Sequence, residues 1–253
     1  MLNKEDIERI ARMGGARTWQ QEKHYIQTLI LKSLYSKFGN KLIFKGGTAL
    51  WFFHGLKRYS EDLDFTANGE LDVQVLSKHI SEDLAAIGVE NKVKILENNQ
   101  RSISLRIGAK GPLYDGEISM SYVRVDISLR ENVLLPYDEL EFNPPYSDIT
   151  PFSVAVMNLK EISAEKIRAL TKREKARDLY DLFQILKSDA IPDKKLIKEK
   201  LVYYGEEFSY AEFEKAVKAK KDIWESELSN FIFGKFPSFK EASESVLNIM
   251  KKK

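Results

Sequence analysis

Two hydrophobic periodicities divide this chain, and they hardly mix. Residues 91–96 (NKVKIL), 102–107 (SISLRI) and 117–129 (EISMSYVRVDISL) alternate apolar and polar side chains, the period of half-buried strands. From residue 157 onward apolar positions return at helical spacing, over 158–170, 175–187, 194–203, 210–230 and 238–250. Ahead of the strands, 5–12, 19–38 and 71–87 read as helices, and the short apolar runs 41–45 (KLIFK) and 63–65 (LDF) as strands. Residues 133–152 hold Pro136, Pro144, Pro145 and Pro151 and read as an irregular connection. The pattern predicts an α+β domain with N-terminal helices over 1–150 and a helical domain over 151–253.

Composition narrows the function classes. Lys and Arg total 40 against 38 acidic residues, a net charge of +2, so the chain is no bulk polycation. Any nucleic-acid contact must come from local patches. Lys172, Arg173, Lys175 and Arg177 form one candidate, and Lys215, Lys218, Lys220 and Lys221 another; each reads equally well as a solvated helix face. There is no cysteine, and the three histidines (His24, His54, His79) are scattered, which excludes thiolate metal sites and argues against zinc. The N-terminus is charged and no stretch approaches the ~20 apolar residues of a membrane span. A cytoplasmic protein with no membrane partner is expected.

The chemistry concentrates in "FKGGTALWFFHGLKRYSEDLDF", residues 44–65. A strand, then Gly46-Gly47-Thr48, then a helix directs consecutive backbone N–H groups at a concave turn, where glycine leaves room for a ligand. The helix N-terminus adds positive potential, a setting suited to a triphosphate. In Asp62-Leu63-Asp64, strand alternation turns both carboxylates to one face and Leu63 to the other. Two such carboxylates repel unless a cation lies between them, and Mg²⁺ takes oxygen ligands of this kind together with substrate phosphates. Alone, the turn is an ordinary glycine-rich connection and the acidic pair a solvated edge strand. Asp126, flanked by Val125 and Ile127 in YVRVDISL, is a third carboxylate, costly in a strand unless paired, metal-facing or on an exposed edge.

Thirteen residues separate Thr48 from Asp62. The combination resembles the DNA polymerase beta-like nucleotidyltransferase superfamily. FKGGTAL, RYSEDLDF, AEKIRAL and RDLYDL in order resemble, more narrowly, the AbiEii/AbiGii toxin family; the motifs span residues 44–186. Trp51 and Tyr59 depart from the usual family pattern. The resemblance implies a polymerase beta-like domain with a mixed sheet followed by a helical domain. It implies metal-dependent transfer of a nucleoside monophosphate from an NTP, with Mg²⁺, or Mn²⁺ in its place. Asp62, Asp64 and Asp126 would be metal-binding and catalytic, and Gly46, Gly47 and Thr48 would hold phosphates. Arg58 and Ser60 would flank that site, and a modification of Ser60 would set negative charge against the carboxylates. Lys166 and Asp181 would join the catalytic set, with Lys166 and Asp178 contacting the nucleotide. The implied acceptor is a tRNA 3′ end and the implied partner an AbiEi-like antitoxin. The residues themselves leave ordinary readings open. Lys166 is also a snorkelling surface lysine, Arg177 and Asp181 an i,i+4 ion pair, and Asp178 a helix-start residue. A small-molecule nucleotidyltransferase of the antibiotic-modifying kind and a non-enzymatic nucleotide-binding module are the alternative functions.

Overall fold

The structure is a computed structural model describing residues 1–188 and 190–251. These residues fall into two compact units. The first comprises Met1–Phe53, Ser60–Val133 and Tyr137–Val156; the second comprises His54–Tyr59, Leu134–Pro136 and the chain from Met157 on.

The first unit contains α1 (Lys4–Gly14), α2 (Thr18–Lys37), β1 (Leu42–Lys45), α3 (Gly46–Phe53), β2 (Leu63–Ala67), α4 (Val73–Ala86), β3 (Asn91–Asn98), β4 (Ser102–Ala109), β5 (Ser121–Ser128), β6 (Asp138–Phe142) and β7 (Phe152–Val156). The strands form one mixed sheet in the order β3-β4-β5-β2-β1-β7-β6. The pairs β2/β5 and β1/β7 are parallel and the others antiparallel. One sheet face packs on the helices: Phe44, Phe65, Val123, Val125 and Ile127 meet Ile26, Ile30 and Leu34 of α2 and Leu76, Ile80 and Leu84 of α4 in one apolar core. Side-chain caps set the helix starts. Asn3 and Asp6 exchange bonds at α1, and Asp72 accepts from Gln74 and Val75 N–H at α4.

Strands β6 and β7 lie in and just beyond the stretch expected to be irregular. The prolines sit outside both strands, while DELEF and FSVAV pair antiparallel from Asp138↔Val156 to Phe142↔Phe152. The prolines mask two short strand segments in the sequence, and pairing of β6 with β7 sets them in the sheet.

The second unit contains α5 (Leu159–Lys172), α6 (Ala176–Leu186), α7 (Lys194–Val202), α8 (Tyr210–Ala219), α9 (Trp224–Leu228) and α10 (Phe239–Lys251). The expected helix 210–230 is broken into α8 and α9. At the break Lys220 is buried and its ammonium donates to the Arg173 carbonyl at 2.6 Å. Just after it, Trp224 is buried and donates from Nε1 to the Pro237 carbonyl at 3.0 Å. Two short arms complete this unit. Residues 54–59 are tied in by Phe233 N–H to the Lys57 carbonyl and Tyr59 N–H to the Phe231 carbonyl. In the arm 134–136, the N–H groups of Leu134 and Leu135 each donate to the Glu161 carboxylate at 2.9 Å. Glu161 is also 2.7 Å from the buried Lys200 ammonium. Among the described residues no helix is long and apolar enough to cross a membrane.

Candidate active site

The acidic motif sits on the sheet face away from the apolar core. Leu63 is wholly buried, so alternation along β2 turns Asp64 to the other side, with Asp62 just ahead of the strand. Asp64 and Asp126 are register partners on the parallel strands β2 and β5, hence neighbours on one face. Val125 and Ile127, which flank Asp126, point into the core. Arg124, two residues earlier on the same face, donates from Nε to Asp126 Oδ1 at 2.9 Å and to Ser104 Oγ at 3.1 Å.

The glycine turn is fitted to this pair. Gly46 has φ +75°, the left-handed region, and a β-carbon there would stand 2.9 Å from Asp64 Cβ and closer still to its carboxylate. Backbone and carboxylate approach more closely than any side chain at 46 permits. Helix α3 starts at this glycine, so the N–H groups of Gly46, Gly47 and Thr48 belong to its first turn and have no partner within the helix ladder. The Thr48 hydroxyl, expected to offer a ligand a hydrogen bond, donates instead to the Asp62 carbonyl and ties the turn to the carboxylate segment. Ser60 is buried, and its carbonyl accepts from Gln27 Nε2 at 3.1 Å.

One residue of this face was not among the expected site residues, although it lies within FKGGTAL. Lys45 is the register partner of Asp64 on β1, and its ammonium lies 2.9 Å from Glu131 Oε2, both side chains buried. Its place as the last residue of KLIFK, two before Gly47, is the clue that strand alternation could have supplied.

Carboxylate oxygens on one face are donors of the kind a hard divalent cation takes. Among the described residues no three acids or histidines are drawn together into a ready-made cage. Mg²⁺ binds through one or two carboxylates plus substrate phosphates, and Asp64 beside Asp126 offers two. The residues present therefore fit such an ion.

The remaining site candidates form a buried cluster inside the second unit. Asp181, fully buried, accepts both arms of the Arg58 guanidinium, Nε at 2.6 Å and a terminal nitrogen at 2.7 Å. Lys166 Nζ lies 2.6 Å from Asp181 Oδ2 and 3.0 Å from Asp178 Oδ1. Two cations thus face two carboxylates. Burial alone would push the Asp181 carboxyl upward, but Arg58 and Lys166 outweigh it and hold it down at about 2. Burial likewise opposes charge on Lys166, and Asp181 and Asp178 reverse the balance, so its pKa is raised. Implied by the resemblance to contact the nucleotide, Lys166 has a side chain only 12% exposed. Asp181, which local spacing pairs with Arg177, turns to Arg58 and Lys166. The outer Asp178 oxygen Oδ2 is buried without a hydrogen-bond partner among the described residues.

Residues 29–247 match the family model described as nucleotidyl transferase AbiEii toxin, type IV TA system. The fold is similar to that of MenT4, a nucleotidyltransferase toxin from Mycobacterium tuberculosis H37Rv, with TM-score 0.67, 20% identity, and 98% of this chain and 88% of that one covered. It is similar also to JHP933 from Helicobacter pylori, with TM-score 0.61, 18% identity, and 92% and 90% covered. At such identities the likeness to solved structures is one of fold. No curated protein matches the chain at a significant level.

Proposed function

The chain belongs to the AbiEii nucleotidyl transferase toxin family of type IV toxin–antitoxin systems, and on that premise we propose that it transfers a nucleoside monophosphate from an NTP to a tRNA 3′-terminal hydroxyl. Family membership makes it a nucleotidyltransferase, which sets aside the interaction-only module. The observation that carries the proposal is the fit of Gly46 against Asp64, with Asp126 beside it on the next strand.

The first-turn N–H groups of α3 hold the outer phosphates, and the missing β-carbon at Gly46 lets them approach the carboxylate face. Asp64 and Asp126, joined by Asp62 once the ion is bound, would hold Mg²⁺, or Mn²⁺, which neutralises charge on the transferring phosphate. Asp126 takes the acceptor hydroxyl proton. The acceptor oxygen bonds to the α-phosphorus, the bond from that phosphorus to the bridging oxygen breaks, and pyrophosphate leaves. Arg124 fixes the Asp126 carboxylate through Oδ1. An AbiEi-like antitoxin is the proposed partner.

Incubating the protein with each labelled NTP, Mg²⁺ and total RNA tests the reading. Label in RNA of tRNA size, absent with Asp64→Asn, is the expected result. Label in no RNA, with any of the four NTPs, would overturn it.

A further inference from the structure

The face that carries Asp126 continues along β5, β4 and β3 as an exposed basic surface. Arg124, Arg106 and Lys94 are register partners in one row across the three strands. All three are exposed, and Lys92, also exposed, lies two residues from Lys94 on the same face. Like charges directly opposite in a sheet weaken it. Here three cations stand side by side, and only Arg124 is paired, to Asp126. Among the described residues no carboxylate pairs with Lys92, Lys94 or Arg106. An arrangement that costs the fold stability marks a surface whose counter-charge arrives with a ligand.

The next row adds an aromatic. Tyr122 is the register partner of Gly108. A β-carbon on Gly108 would stand 2.9 Å from Tyr122 Cε1, so the glycine lets the ring settle against the backbone. The Arg106 guanidinium lies over that ring, 5.4 Å from its centre, yet Tyr122 remains 48% exposed. Cations spaced along strands, with an exposed aromatic among them, are what a single-stranded polynucleotide needs: phosphate partners and a stacking surface. The charge has the wrong sign for a polycationic small-molecule acceptor. The two helical clusters are weaker candidates. Lys220 is buried on the Arg173 carbonyl, and Lys218, Lys172 and Lys175 each lie near a glutamate, Glu214, Glu206 and Glu227 respectively.

We propose that the β3–β4–β5 face formed by Lys92, Lys94, Arg106, Tyr122 and Arg124 binds single-stranded RNA and leads its end to Asp126. The inference rests on the nucleotidyl-transfer reading for its choice of RNA, and it is tested by binding without NTP.

Fluorescence anisotropy of a labelled single-stranded oligoribonucleotide is measured over a range of KCl concentrations. Each phosphate contact contributes about 0.7 to the slope of log affinity against log salt. Lys94→Ala/Arg106→Ala should lower the slope by about 1.4 and weaken binding at low salt at least tenfold, with binding of a fluorescent ATP analogue unchanged. Tyr122→Ala should weaken binding with no change of slope. Lys215→Ala/Lys218→Ala should bind as the parent does. Parental RNA binding by the strand variants, or no RNA binding by the parent, overturns the proposal, and an acidic protein partner would then be the ligand of this face. Binding through the face by a protein that labels no RNA would sink the transfer reading and leave this one standing.

Discussion

Arg58 and Asp181 are joined by two parallel hydrogen bonds, at 2.6 and 2.7 Å, across 123 residues of sequence. Removing one partner of a buried pair costs more than the pair contributes, because the other charge is left without compensation. Asp181→Ala strands Arg58, leaves Lys166 with Asp178 alone, and is expected to destabilise the protein by about 3–5 kcal/mol. Urea unfolding with a matched m-value checks it.

Lys166→Ala should also lower stability, because the residue is buried against Asp181 and Asp178 rather than set in an open cleft. A loss of about 1–3 kcal/mol is expected, against none for the half-exposed Lys172→Ala. Equal melting temperatures for the two variants would contradict the packing described above.

Gly46→Ala tests the fit of the turn. With φ at +75° and Asp64 Cβ 2.9 Å away, the added methyl meets both backbone strain and a fixed neighbour. More than about 1 kcal/mol should be lost. Gly55→Ala, at φ +65° but with nothing within 4 Å, isolates the strain alone. The difference between the two variants reports the contact with Asp64.

Asp62→Ala and Asp64→Ala should abolish transfer while melting close to the parent, since neither side chain belongs to the apolar core. Thermal melts beside the RNA-labelling assay decide this. A variant that melts far lower would show the pair to be structural.

Two groups shape the acid limb of stability. His24 is buried against Tyr146, and burial drops its pKa to about 3. The folded state therefore refuses a proton that the unfolded chain accepts, and stability falls as pH drops from about 6.5 toward 3, by up to about 1.4 kcal/mol per pH unit. Asp181, lowered from 3.8 to about 2 by Arg58 and Lys166 against the effect of burial, adds stability above pH 3.8 that disappears as pH falls through about 2. Urea midpoints from pH 7 to 4 for the parent and His24→Gln should diverge, the parent falling more steeply.

Much of the fold was legible because alternation and helical spacing are local signals. The outward turn of Asp64 follows from period two alone, and Asp126 reaches the same face through its flanking Val125 and Ile127. The second cluster was not legible. Arg177 was the cation that spacing offered Asp181, whereas the true partners come from an arm at 58 and from another helix. Glu161 and Lys200 raised no signal, since a buried ion pair looks in sequence like any two surface charges. The basic strand face was hidden by a net charge near zero. Its lysines and arginines lie far apart in sequence and meet only through strand register.

The arm 54–59 has a consequence for how the protein is made. A ribosome delivers Arg58 well before the carboxylate that neutralises it, so any nascent or prematurely terminated chain ending short of residue 181 carries a guanidinium with no home. Neither unit can be excised at a single peptide bond, because the second borrows 54–59 and 134–136 from within the first. Fragments ending near residue 156 should therefore leave the 54–59 and 134–136 arms without their helical neighbours and open to proteases. For a toxin, incomplete synthesis would then leave little that is harmful.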